Sequence, residues 1–279
     1  ADGLRWDMIA YIKSIDGSDD NPDSVIPEGW SLMQWINAEI QKLYPGKISI
    51  GESMKNNPWV IKDVGAGGAG FNAQWDAEFV HPVRQAVILR DDKLRDLAAV
   101  SKAIEHRYDL DVFRRIIYTE SHDEVANGRA RVPEEIWPGK VDSWFSKKRS
   151  TLGGALVLTS PGIPMIFEGQ ELLEDRWFQD KVPIDWSRVQ DEHGILKMYR
   201  DLIALRRNLA GLTRGLCGQN THVYHFDDGA KIIAFHRWDK LGPTDSVVVV
   251  VNMMNQNSDN YLIGFPQAGL WKTRFNSDS

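Results

Sequence analysis

The sequence predicts an α/β protein built on a parallel sheet, followed by a small all-β domain. Two observations predict it. Short β-branched or apolar runs alternate with amphipathic helical stretches over residues 1–211, the pattern of strands joined by crossover helices. From about Thr213 the pattern becomes strands joined by a tight turn. The 279 residues, 42% hydrophobic and 26% charged, suffice for a full core, which excludes collagen-like, coiled-coil and disordered classes.

Ala1 to Asp7 carries Leu4 and Trp6 and reads as a short strand delivering Asp7 to a loop. A helix is expected from Ser31, where Ser31 and Gln34 make a capping box and Leu32, Ile36, Ile40 and Leu43 fall on one face, until Pro45 and Gly46 stop it. Lys47 to Glu52 reads as a strand, as does Phe71 to Asp76. Helical stretches follow from Ala77 to Leu89 and from Lys93 to Ile104. The apolar run Arg115 to Thr119 then leads into Glu120, Ser121, His122, Asp123 and Glu124. A helix near Ser143 to Leu158, a very short strand from Pro164 to Phe167 and an amphipathic helix through Ile195, Met198, Tyr199, Leu202 and Leu205 complete this part. Beyond it, His222 to Phe226, Asp228-Gly229 and Lys231 to Arg237 read as a hairpin, with Ser246 to Val251 as another strand.

The formal charge of −6 and pI of about 5.7, with no long basic run, argue against nucleic acid or an anionic membrane as partner. A single cysteine, Cys217, permits no internal disulfide, and no stretch approaches the roughly 18 apolar residues of a spanning helix. Ala1 has no signal-like segment behind it, so the start is expected to be a cut. Among the 11 Trp residues, Trp6, Trp59, Trp137 and Trp186 sit beside Pro or Asp and Trp177 lies two residues from Asp175, where they suit sugar stacking or a core.

Three signals look chemical and fail on geometry. Gly65, Gly67 and Gly70 satisfy G-x-G-x-x-G, but a strand rather than a helix follows the third glycine, so a nicotinamide enzyme is set aside and the segment is read as a flexible loop. Ser121, His122 and Asp123 are consecutive and cannot converge as a triad. His222 and His225, three apart on a strand, are expected to point to opposite faces, as solvated residues rather than metal ligands. The stronger signal is positional: Asp7, Glu52 and Asp123 each stand at the carboxyl end of an expected parallel strand, the active face of closed parallel barrels. Arg5 and Asp7 share a face of their strand, so the guanidinium can hold the carboxylate ionised.

These residues resemble a known family. Asp2-Gly3-Leu4-Arg5-Trp6-Asp7 resembles the D-G-x-R-x-D motif of the α-amylase superfamily of glycoside hydrolases, Ile50-Gly51-Glu52 its acid/base strand end, and Glu120-Ser121-His122-Asp123 its H-D motif, in the family's order and spacing. Gly70 to Asp76, Met165 to Glu171 and Pro183-Ile184-Asp185-Trp186 are most similar to its glycogen branching enzyme side. The resemblance implies Asp7 as catalytic nucleophile, Glu52 as general acid/base and Asp123 as the carboxylate that clamps substrate hydroxyls. It further implies that Arg5 orients Asp7 and that His122 binds sugar in the −1 subsite. Asp7 must then be ionised while Glu52 is protonated, so their environments have to push their pKa values apart.

The implied fold is a partial (β/α)8 TIM barrel, from the fourth strand onward, over residues 1–211. A C-terminal antiparallel β-sandwich, residues 212–279, would follow. The family's first three strands and its D-x-x-x-N-H motif are not found, so the chain is expected to be a fragment; its ending, Phe275 to Ser279, resembles a mid-domain segment. The implied activity is hydrolysis or branching transfer on α-1,4-glucans such as starch or glycogen, with an α-glucan oligosaccharide or polysaccharide as partner. No cofactor or metal is expected in this chain, and the resemblance leaves calcium open only for the complete family enzyme. A cytoplasmic location is expected, with secretion open, and the oligomeric state is not legible. A non-catalytic carbohydrate-binding chain is the alternative.

Overall fold

The computed structural model describes residues 1–19, 21–126, 129–240 and 245–278. Two compact units emerge, one of residues 1–78 and 107–117, the other of residues 79–106 and 118–279.

The first unit is built on a parallel sheet. Strands β1 (Gly3–Trp6), β2 (Ile48–Gly51), β3 (Ala73–Trp75) and β4 (Arg115–Ile117) lie side by side in chain order, with Arg5 opposite Ile50, Ile50 opposite Ala73 and Gln74 opposite Arg115. Helices α1 (Ile9–Lys13) and α2 (Pro27–Leu43) connect β1 to β2. A core of Ile9, Met33, Val60, Ile61, Ala69, Phe71 and Tyr108 lies between these elements. The helix expected from Ser31 starts earlier, at Pro27, because proline at the first helical turn brings its φ already set and lacks only an N–H that would be unpaired there. Its buried positions are Gly29, Met33 and Asn37, while Leu32 and Leu43 of the expected apolar face are exposed.

The glycine loop is not free. Trp30 Nε1, Gln34 Nε2, Asn37 Nδ2 and Gln41 Nε2, successive positions on one face of α2, donate to the carbonyls of Gly67, Gly68, Ala69 and Gly70 at 3.1, 2.9, 2.8 and 3.1 Å. The flexible-loop expectation is therefore corrected. A helical row of side-chain donors pairs four consecutive carbonyls of the segment that leads into β3.

The helix α3 (Ala77–Ile88) carries the chain from the first unit into the second, which holds α4 (Leu97–Glu105), α5 (Val132–Ile136), α6 (Trp144–Thr159), the two-residue strand β5 (Ile163–Pro164), α7 (Arg188–Asp191) and α8 (His193–Arg206). Asp96 caps α4 through the Ala99 N–H, and Ser143 caps α6 through the Ser146 N–H. Leu158, Leu173, Ile195, Met198, Tyr199 and Leu202 form one core cluster; Val87, Val132 and Ile136 form another.

The C-terminal strands β6 (Asn220–Asp227), β7 (Ile232–Trp238) and β8 (Val247–Asn252) form one antiparallel sheet. Its buried Arg237 donates to the carbonyls of Thr159, Leu216 and Gly218 at 2.7, 3.0 and 2.9 Å. The expected two-layered sandwich is thus met by one sheet among the described residues, because nothing from 253 to 278 forms a strand; Ser279 lies outside them. In the β6–β7 turn the left-handed residue is Lys231, at φ 53°, rather than Gly229.

Candidate active site

The parallel register brings Arg5, Asp7 and Glu52 together. Arg5 lies opposite Ile50 and Trp6 opposite Gly51, and the Glu52 N–H donates to the Trp6 carbonyl at 3.0 Å, so Asp7 and Glu52 leave neighbouring strand ends side by side. Met8 then adopts the left-handed region, at φ 42°. That turn points its N–H at Glu52 Oε2, 2.7 Å away. Arg5 reaches both acids, with Nη1 2.6 Å from Asp7 Oδ1 and Nη2 2.8 Å from Glu52 Oε2. Its guanidinium sits 4.6 Å from the Trp75 ring centroid, and Trp6 packs edge-on against Phe71. The two carboxylates differ in access: the Asp7 side chain is 73% exposed and that of Glu52 3%. At Gly51 a Cβ would come within 2.7 Å of Ile9 Cδ1, so the strand end carrying Glu52 is packed down to its last residue.

Asp76 follows β3 at the matching position and is fully buried. Arg115 Nη1 pairs with it at 2.9 Å and the Tyr108 hydroxyl approaches at 3.4 Å. Burial pushes the Arg115 guanidinium down and the Tyr108 hydroxyl up, with Asp76 opposing the first shift and adding to the second. This strand-end acid is therefore a structural ion pair.

His122 and Asp123 belong to the second unit. They follow β4 on a turn, with side chains 38% and 48% exposed and His122 Nε2 3.3 Å from Asp123 Oδ2. Their neighbours Tyr118, Thr119, Glu120 and Ser121 are buried. Glu120 accepts the Val132 N–H at 2.6 Å and lies 3.4 Å from Arg131 Nη1. Burial pushes its carboxyl up, against the pull of Arg131 and that N–H.

The expectation that His222 and His225 face opposite ways is corrected. A β-bulge between Val223 and His225 sets His222 opposite His236 and His225 opposite Ala234, so both histidines share a face. His225 Nε2 lies 2.7 Å from the Tyr261 hydroxyl, which donates to Asp227 Oδ2 at 2.7 Å. Among the described residues no group of three or more His, Cys, Asp or Glu side chains is arranged to hold a metal ion. No helix among them is long and apolar enough to cross a membrane.

Residues 223–279 match the family model described as the α-amylase C-terminal all-β domain. Over its whole length the chain is 26% identical to the 1,4-α-glucan branching enzyme GlgB 1 of Xanthomonas campestris pv. campestris strain 8004, of which it covers 39%. It is likewise 26% identical to the branching enzyme GlgB of Prochlorococcus marinus strain MIT 9211, covering 37% of it. The chain is thus similar to 1,4-α-glucan branching enzymes along its whole length and to an α-amylase C-terminal domain over its last residues. Among solved structures, a pullulanase complexed with maltotetraose from Anoxybacillus sp. LM18-11 superposes with a TM-score of 0.62 at 20% identity, over 92% of this chain and 38% of that one. An Anoxybacillus α-amylase superposes with a TM-score of 0.57 at 19% identity, over 83% and 46%. These two likenesses establish the fold. The chain spans about two fifths of the length of the curated branching enzymes it matches.

Sequence reasoning missed three residues around the His122 turn: Arg84, Glu120 and Arg131. Arg84 carried a legible signal, the one Lys or Arg between Ala77 and Ile88, set among Val80, Val83, Val87 and Ile88. Glu120 and Arg131 stand among other charges, and only their burial separates them.

Proposed function

We propose that this chain carries the carboxylates of a retaining glycoside hydrolase or transglycosylase acting on α-1,4-glucans, of the glucan branching enzyme kind. The observation that carries the reading is the cluster of Arg5, Asp7 and Glu52 at adjacent parallel strand ends, one acid exposed and one buried, both touching one guanidinium. In the proposed first step an Asp7 oxygen attacks the anomeric carbon, the glycosidic C–O bond breaks, and the leaving oxygen takes its proton from Glu52. In the second, water or a sugar hydroxyl gives its proton to Glu52 and displaces Asp7. Two inversions retain the α-configuration. Water yields hydrolysis, and a glucan hydroxyl yields transfer.

Arg5 holds Asp7 toward its target. Releasing Arg5 from Glu52 favours the protonated acid that the first step needs, because a nearby cation stabilises the carboxylate. His122 donates to the sugar, and Asp123 accepts from its hydroxyls. Neither step needs a cofactor. The glucan class is supported by the branching enzymes this chain is similar to and by the maltotetraose-bound pullulanase. The chain is read as dividing near residues 211 and 212, upstream of the matched all-β segment, residues 223–279.

The test is to incubate the folded chain with maltoheptaose and amylose and to follow reducing ends and α-1,6 linkages by proton NMR. New reducing ends without branches mean hydrolysis; branches with few new reducing ends mean transfer. Binding without either product refutes catalysis by this chain and selects the carbohydrate-binding alternative.

A further inference from the structure

We propose that Arg84 is a positioning residue for the turn that presents His122 and Asp123, an inference resting on the reading of those two side chains as sugar contacts. Arg84 stands on α3 between Val83 and Val87, both fully buried, and its own side chain is 5% exposed. Its guanidinium must therefore find partners inside the protein. It finds them at both ends of one segment. Nη1 donates to the Thr119 carbonyl at 2.9 Å, while Nη2 donates to the carbonyls of Glu124 and Ala130 at 3.1 and 2.6 Å. Glu135 Oε1 at 3.0 Å and Glu124 Oε2 at 3.6 Å balance the charge.

Thr119 and Glu124 bracket His122 and Asp123. The turn's own bonds include Val125 N–H to the Ser121 carbonyl at 3.1 Å, Glu124 N–H to Ser121 Oγ at 3.2 Å and Ala126 N–H to the Asp123 carbonyl at 3.4 Å. A planar group with five fixed donors sets the distance between the carbonyls it joins. A lysine ammonium supplies the charge without that fork. The separation of His122 Nε2 and Asp123 Oδ2, 3.3 Å, thus depends on a side chain that touches neither.

The test is Arg84→Lys in the full chain, read first by amide hydrogen exchange without ligand. The Glu124 and Val125 amides should exchange about tenfold faster or more, while the Val100 amide of α4 and the His106 amide that closes its end stay within about twofold. Unchanged exchange at Glu124 and Val125, or acceleration spread evenly over the chain, overturns the proposal. Calorimetric titration with maltoheptaose is the second reading: Kd should rise about tenfold in Arg84→Lys, and adding the same change to Asp123→Asn should raise it little further. Full additivity would mean that Arg84 does not act through Asp123 and would overturn the positioning role. If the parent chain binds no maltoheptaose, the sugar-contact reading falls, and the exchange data still decide whether Arg84 holds the turn. If Arg84→Lys does not fold, Glu135→Gln loosens the same guanidinium and should speed the same two amides; no local change there overturns the proposal equally.

Discussion

Arg5 is the residue on which the candidate site turns, since a single guanidinium faces an exposed acid and a buried one. That asymmetry suits one carboxylate that attacks and one that moves a proton. Asp7→Asn should lower turnover of maltoheptaose by about a thousandfold or more, with the fold intact by circular dichroism, because an amide cannot form the glycosyl ester. Activity within about tenfold of the parent would remove Asp7 from that role. Glu52→Gln should slow natural glucan far more than an aryl glycoside whose leaving group needs no proton. Equal losses on the first chemical step would argue against an acid.

At the scale of elements, the docking of α2 on the glycine loop makes a stability prediction. Asn37 is 1% exposed and its amide donates to the Ala69 carbonyl at 2.8 Å. Asn37→Leu leaves that buried carbonyl unpaired and should cost about 1–3 kcal/mol in denaturant unfolding. A loss near zero would mean that the ladder is dispensable. The loop after β5 gives a pH prediction. Burial disfavours ionised Glu174, but the hydrogen bonds from the Arg176 side chain and backbone outweigh it and hold the carboxyl at about 2, against an ordinary value of 4.5. A lowered folded-state value means stability present above 4.5 and lost as pH falls toward about 2. Arg176 is half exposed, so solvent screens part of the gain. Melting temperature should therefore fall less steeply over that interval in Glu174→Gln than in the parent, and parallel curves would contradict the assignment.

On the scale of the whole molecule, the order of elements was legible because strand and helix periodicities differ, and the carboxylates were legible because they close short motifs. What escaped the sequence depends on contacts between distant segments. Residues 107–117 rejoin the first unit through the pairing of Gln74 with Arg115 and the Arg115–Asp76 ion pair, which chain order does not announce. The bulge that turns His225 onto the face of His222 is one extra residue in a strand of ordinary composition. Asp7 and Asp76 look alike on paper, each an acid closing a strand. Only burial against Arg115 and Tyr108 makes one structural, while the other stands exposed.

The central claim is that Asp7 is the nucleophile of a retaining reaction. It is tested most directly by treating the folded chain with a 5-fluoro α-glycosyl fluoride and mapping the labelled peptide by mass spectrometry. The account predicts one glycosyl group per chain, as an ester on Asp7, absent in Asp7→Asn. No label, or a label on any other carboxylate, would contradict it.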